Sequence, residues 1–236
     1  MTTASAKHDL DRGVYAPAEA ARIVHLETRR IRRWLSGYDY LGADRVKRHS
    51  GPLLSREHEG KDLALTFMDL VEVLFVATFL HHGVTMPKIR VLQAEAQEEF
   101  SVRHPFAAKQ FETDGETLFH RYVSQGAERL EDRWTHQYVA REIFNPLLKK
   151  IDYDAATHEA RRYWPLGKEH PVVLDPSHSF GEATVENSHV PTRVLYNACR
   201  AGDSKLRVSR WFGVDLDEVD AAIAFEESIG ASARAA

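Results

Sequence analysis

The sequence predicts a mainly α protein. It has a winged helix-turn-helix near the N-terminus, central helices with a small β-hairpin, and a C-terminal trihelical module that is again of helix-turn-helix type. Three observations carry this expectation. Two stretches with helical apolar spacing, PAEAARIV and TRRIRRWLSG, are separated only by His25-Leu26-Glu27, the spacing of a helix-turn-helix. The run Phe67 to Leu80 is almost wholly apolar and follows a helix-start signal, Thr66-x-x-Asp69. From Pro191 onward apolar positions recur at helical spacing, punctuated by Gly202 and Gly213. With 236 residues, 43% hydrophobic and 28% charged, the chain is long enough to bury a core across two or three small units.

The elements follow in order. Pro17 suits the first turn of a short helix. Thr28 is the expected N-cap of the next, and Gly37 its end. On that second helix Ile31, Trp34 and Leu35 share one face, while Arg29, Arg32, Arg33 and Ser36 share the opposite one. Residues 38–65 are polar, with Gly42, Ser50-Gly51-Pro52 and Gly60 as turn signals. Val46–His49 is expected to pair with Leu63–Leu65 as a wing carrying Arg45, Lys47 and Arg48. The helix after Thr66 is apolar all round, so it is either internal or half of a subunit interface. Thr85-Met86-Pro87 begins another helix, running to about Phe100. FETDGETLFHRYV reads as two strands about an Asp114-Gly115 turn. Residues 124–144 read as one long helix, and short strands are expected at 151–153, 160–164 and 172–174. In the C-terminal part, helices are expected at about 191–200 and 204–212. A third, opened by Asp215-x-x-Glu218, runs to about Ser228.

Charge narrows the function. The formal net charge is −4, yet residues 1–62 hold 12 Lys+Arg against 9 Asp+Glu, while residues 172–236 hold 6 against 10. Between Arg22 and Ser36 there are five arginines and one glutamate. Such a local basic patch is an electrostatic footprint for phosphate, and arginines on a helix set in the major groove can also read guanine edges. The expected DNA-contacting residues are Arg22, Thr28, Arg29, Arg32, Arg33, Ser36, Tyr38, Arg45, Lys47 and Arg48, with Tyr40 beside them. The C-terminal unit instead opens its last helix with Asp215, Asp217, Glu218 and Asp220, which repel phosphate, so protein contact is expected there.

Other classes are poorly supported. One cysteine excludes a disulfide framework. Thirteen histidines include no His-x3-His pair, and the adjacent His81 and His82 should point to different sides of a helix, so no metal and no cofactor are expected. The chain has no nucleophile elbow and no phosphate-binding glycine loop, so a non-enzymatic protein is expected. The opening MTTASAKHDL lacks an apolar signal core, which points to the cytoplasm.

Two resemblances sharpen this. Tyr15-Ala16-Pro17-Ala18-Glu19-Ala20-Ala21 followed by Arg30-Ile31-Arg32-Arg33-Trp34-Leu35 looks like the opening of a MerR-type winged helix-turn-helix, extending over about 14–100, without the metal-binding cysteines of MerR sensors. Arg162-Tyr163-Trp164-Pro165-Leu166-Gly167, Pro171-Val172-Val173-Leu174-Asp175-Pro176, Ser179-Phe180-Gly181, His189-Val190-Pro191-Thr192 and Trp211-Phe212-Gly213-Val214 together resemble the domain of unknown function numbered 433, over about 145–228. Members of that family are similar to VapB-type antitoxins. The resemblance implies a DNA-binding type II antitoxin, dimeric, that pairs with a PIN-like VapC-type ribonuclease toxin and binds its own operator. Its toxin contacts are expected at Trp211, Phe212 and Arg234. The implied organisation is a disordered tail at 1–13, a DNA-binding unit at 14–100, a central hairpin and long helix at 101–144, an antitoxin-type module at 145–228 and a flexible tail at 229–236. The rival readings are a stand-alone regulator whose C-terminal domain only dimerises, and a small-molecule sensor or enzyme using the central region 101–171.

Overall fold

The structure, a computed structural model, describes residues 13–42, 44–54, 63–123 and 145–235. It is mainly helical, with small sheets. The expected polar tail, apart from Gly13, and the expected long helix at 124–144 lie outside the described residues.

Helices α1 (Pro17–Ile23) and α2 (Thr28–Ser36) form the helix-turn-helix, and the backbone N–H of Leu26 donates to Ala21 O at 2.8 Å to close the turn between them. Pro17 opens α1 as expected. The cap of α2 differs from the expectation. Glu27, not Thr28, takes the extended N-cap conformation, and its carbonyl accepts the first amides of the helix, from Arg30 and Ile31. Thr28 is therefore the first helical residue, and its hydroxyl makes no cap. Ile31, Trp34 and Leu35 are buried, as the helical wheel requires.

The wing is a ribbon of β2 (Tyr38–Leu41) and β3 (Lys47–Ser50), antiparallel, with Asp39 opposite His49 and Tyr40 opposite Arg48. The expected partner of the second wing strand, near Leu65, is used elsewhere: β4 (Leu65–Thr66) pairs with β1 (Val14–Tyr15). Leu65 and Tyr15 are both buried, so that small sheet gains a core face that the exposed wing ribbon could not offer.

Helix α3 (Phe67–His81) begins with the predicted capping box. Thr66 Oγ1 accepts from the Asp69 N–H at 3.2 Å, and the Asp69 carboxylate accepts from the Thr66 N–H at 2.9 Å. Leu70, Val71, Val73, Phe75 and Val76 are all fully buried within the chain. The helix is thus largely internal rather than the open apolar face of a subunit interface. Helix α4 (Met86–Phe100) follows, as the Thr85-Met86-Pro87 signal predicts.

The expected hairpin at Asp114-Gly115 is instead helix α5 (Lys109–Val123). Phe111, Leu118 and Phe119 recur at helical spacing and are buried. Phe111 and Phe119 complete an aromatic cluster with Phe75, Phe79 and Phe106, and the Phe106 and Phe111 rings lie 4.9 Å apart. Burial of such rings outweighs the local turn preference of Asp-Gly.

The remainder carries a four-stranded antiparallel sheet, β5 (Ile151–Tyr153), β6 (Ala160–Tyr163), β7 (Val172–Leu174) and β8 (Ala183–Val185), in sequential order. Three of these strands were expected; β8 was not. Helices α6 (Thr192–Arg200), α7 (Lys205–Phe212) and α8 (Leu216–Ala235) follow around a small core of Val185, Leu195, Val208, Val214, Val219 and Ala222. Helix α8 runs on to Ala235 rather than ending near Ser228, so the expected flexible tail at 229–236 is helical as far as Ala235. Phe225 and Ile229, one turn apart on it, reach into the main core shared with α1 and α3.

Candidate nucleic-acid interface

Burial of Ile31, Trp34 and Leu35 turns the opposite face of α2 outward, and Arg29, Arg30, Arg32, Arg33 and Ser36 are all exposed. Arg29, Arg30 and Arg32 have no ion-pair partner among the described residues. Arg33 lies over the Tyr38 ring at 5.1 Å, and Tyr38 and Tyr40 sit 6.0 Å apart. The Ser36 hydroxyl donates back to Arg32 O at 2.8 Å. Arg22 is exposed in the last turn of α1, and Thr28 is half-buried at the start of α2.

The helix and the wing are locked together at their junction. Gly37, at φ +73°, ends α2, and an added Cβ would come within 2.7 Å of Ser50 O. The Leu53 N–H donates to Trp34 O at 2.8 Å. Arg90 of α4 donates to Gly51 O at 2.7 Å and Pro52 O at 3.1 Å, pinning the end of the wing. Sequence reasoning missed Arg90, because only the fold brings it 39 positions back to Gly51.

The wing cations are partly neutralised. Lys47 pairs with Asp39 at 2.9 Å, His49 Nδ1 meets the same carboxylate at 2.7 Å, and Arg48 pairs with Asp44 at 2.7 Å. The hydrogen bonds from Lys47 and His49 hold the Asp39 carboxyl below the usual carboxylate range. These exposed pairs contribute little stability. Arg45, in the left-handed region at φ +58°, sits exposed in the wing turn.

The C-terminal unit is different. In α7, Lys205 pairs with Asp220 at 2.5 Å, and Arg207 pairs with Asp203 at 3.1 Å while lying 5.7 Å over the Trp211 ring. These two cations are thus answered within the unit. Of the four acidic residues opening α8, Glu218 is buried and serves as a cap, accepting from the Asp215 N–H at 2.9 Å. Trp211 (64% exposed), Phe212, Leu206 and Leu216 are exposed apolar residues of α7 and the start of α8. Arg234 lies in the last turn of α8.

Some of the other residues that carried the second resemblance build or brace the sheet. Arg162 donates to Asp175 at 2.6 Å, and Trp164 and Lys168 both donate to Asp152, at 2.8 and 2.5 Å. Burial alone would raise the Asp175 carboxyl, but hydrogen bonds from Ser177 and Arg162 outweigh it and hold the group low. Tyr15 donates to Gly181 O at 2.7 Å, joining β1 to the loop before β8. One expectation about histidines fails. His81 and His82 line the same cleft with rings 5.4 Å apart, because His82 has left the helix as its C-cap. Among the described residues no helix is long and apolar enough to cross a membrane.

The fold and this exposed arginine face define a helix-turn-helix protein. Residues 13–92 match the family model described as "Putative DNA-binding HTH domain". Over 217 residues the chain is 24% identical to a Mycobacterium tuberculosis (strain H37Rv) protein named "Putative antitoxin VapB45", with 87% of this chain and 90% of that protein covered. The crystal structure of Rv2018 from Mycobacterium tuberculosis shares the fold, with a TM-score of 0.66 and 23% identity over 89% of this chain and 96% of that one.

Proposed function

We propose that this chain is the DNA-binding antitoxin of a type II toxin–antitoxin system. It neutralises a PIN-like, VapC-type ribonuclease and represses its own operon as a homodimer. The observation that carries this is the end-to-end likeness to the protein named as an antitoxin, which covers the DNA-reading unit and the C-terminal module together. The arginine helix and its Gly37-bounded wing support a MerR-like mode, with α2 in the major groove and the wing on the flanking backbone. Arg29, Arg32, Arg33, Ser36 and Thr28 would face the groove. Arg22, Tyr38, Arg45, Lys47 and Arg48 would hold phosphates.

The C-terminal module, which resembles the domain of unknown function numbered 433, would hold the toxin through Trp211 and Phe212, an exposed aromatic pair of the kind that anchors interfaces. Arg234 at the end of α8 would reach a carboxylate-lined nuclease site. Because α3 is internal, the dimer contact falls on another face.

The test is co-expression with the gene adjacent on the chromosome, followed by co-purification and a ribonuclease assay. A stable complex with suppressed activity is the expected result. Absence of any complex, alongside intact operator binding, would favour the stand-alone regulator instead.

A further inference from the structure

We propose that the cleft between the helix-turn-helix turn and the C-terminal helix is a binding site for a small organic acid, an apolar body bearing one anionic head. This goes beyond the toxin and operator reading and does not depend on it.

The cleft has a volume of about 520 Å³, within the range of small-molecule sites. One wall is the end of α1 and the turn that follows, Ile23 to Leu26; another is Phe225, Ser228 and Ile229 of α8. The last turns of α3 form its floor, with Leu74 and Ala77. Its polar lining is one-sided. His25, His81, His82 and Lys150 all line it, and among the described residues that do so none is acidic. The Thr78 and Ser228 hydroxyls on its wall already donate to the backbone carbonyls of Leu74 and Phe225. Among the described residues Lys150 donates one of its three N–H groups, to Pro165 O at 2.9 Å, and the other two meet no described acceptor. An apolar surface with one lysine ammonium and three imidazoles on its walls, and no carboxylate among its described lining residues, complements a carboxylate on a hydrocarbon frame. The site matters because residues 24–27 form the turn that orients α2.

Isothermal titration calorimetry on the full-length protein without DNA tests this, using salicylate, phenylbutyrate and octanoate against salicylamide, phenylbutyramide and octanol. At least one acid should bind saturably at one site per chain. It should bind about tenfold or more tighter than its neutral counterpart, the strength of one charge-assisted hydrogen bond. Lys150→Met should erase that preference. Ala77→Phe, which fills the floor, should abolish binding with an unchanged circular dichroism spectrum. Bound acid should also slow amide exchange at residues 24–27. The proposal is overturned if no acid binds more tightly than about 1 mM, if the neutral counterparts bind equally well, or if both folded variants bind as the wild type does.

Discussion

Reversing charge at Arg29, Arg32 and Arg33 separates recognition from folding. Arg29 and Arg32 have no ion-pair partner among the described residues, and glutamate is about as good a helix former as arginine. Position 29 lies in the first turn of α2, where the helix dipole favours an acid. Only Arg33 loses a contact, its position over Tyr38 at 5.1 Å, which is worth about 0.5–1 kcal/mol at an exposed site. The triple variant R29E/R32E/R33E should therefore melt within a few degrees of the wild type. DNA binding should change far more. Each of these arginines that contacts a phosphate flattens the slope of log affinity against log salt by about 0.9 when it is lost, so the triple variant flattens it by up to about 2.7 for each chain bound. The single variants sort the roles further. A base-reading arginine, once removed, relaxes specificity at one position, whereas a phosphate-binding one weakens all sequences alike. Fluorescence anisotropy on the upstream region of the gene, at several KCl concentrations, measures both. A triple variant with wild-type affinity and slope would refute the assignment of α2 to DNA.

Other predictions follow from the same geometry. Gly37→Ala places a Cβ within 2.7 Å of Ser50 O at a φ of +73°, so it should cost at least about 2 kcal/mol in urea unfolding and weaken DNA binding by displacing the wing. Burial pushes Glu72 up to about 8 even though it accepts from the Phe106 N–H at 2.7 Å and Gln93 at 3.1 Å. An acid raised in the folded state stabilises most below its ordinary value near 4.5 and loses that contribution as pH rises towards 8. Wild type minus Glu72→Gln should therefore show stability falling by about 1.4 kcal/mol per pH unit across that window, and parallel curves would refute it. Tyr15→Phe leaves Gly181 O without its donor and should cost about 1–3 kcal/mol by chemical denaturation. Trp211→Ala should leave the melting temperature unchanged and weaken toxin binding in a pull-down. Arg234→Ala is the sound test of the terminal arginine, because deleting residues 229–236 also removes the buried Ile229.

What the sequence disclosed and what it concealed divide along a physical line. The helix-turn-helix and the arginine face were legible because α2 has one buried and one exposed side, and a 3.6-residue period records that division directly. The capping box at Thr66 was legible because its partners are three residues apart. The wing strand Tyr38–Leu41 was not, because none of its residues is buried and a ribbon without a core face leaves no period-two pattern to find. Helix α5 carried its period in Phe111, Leu118 and Phe119, but Asp114-Gly115 spoke more loudly as a turn. In the fold Gly115 serves packing instead, since a Cβ there would meet the Phe111 ring at 3.0 Å. The extension of α8 was hidden among small residues, with Ile229 as its only apolar anchor past Ser228. The site shows the sharpest consequence. The arginines of α2 could be named from the sequence, but the charge state of the wing could not. Asp39 holds Lys47 and His49 only through a strand register that puts it opposite His49, and a pairing with Leu63–Leu65 would have left Lys47 unanswered. An error of strand partner thus becomes an error about electrostatics, because among the described residues Arg29, Arg30, Arg32 and Arg45 have no ion-pair partner whereas Lys47 and Arg48 do.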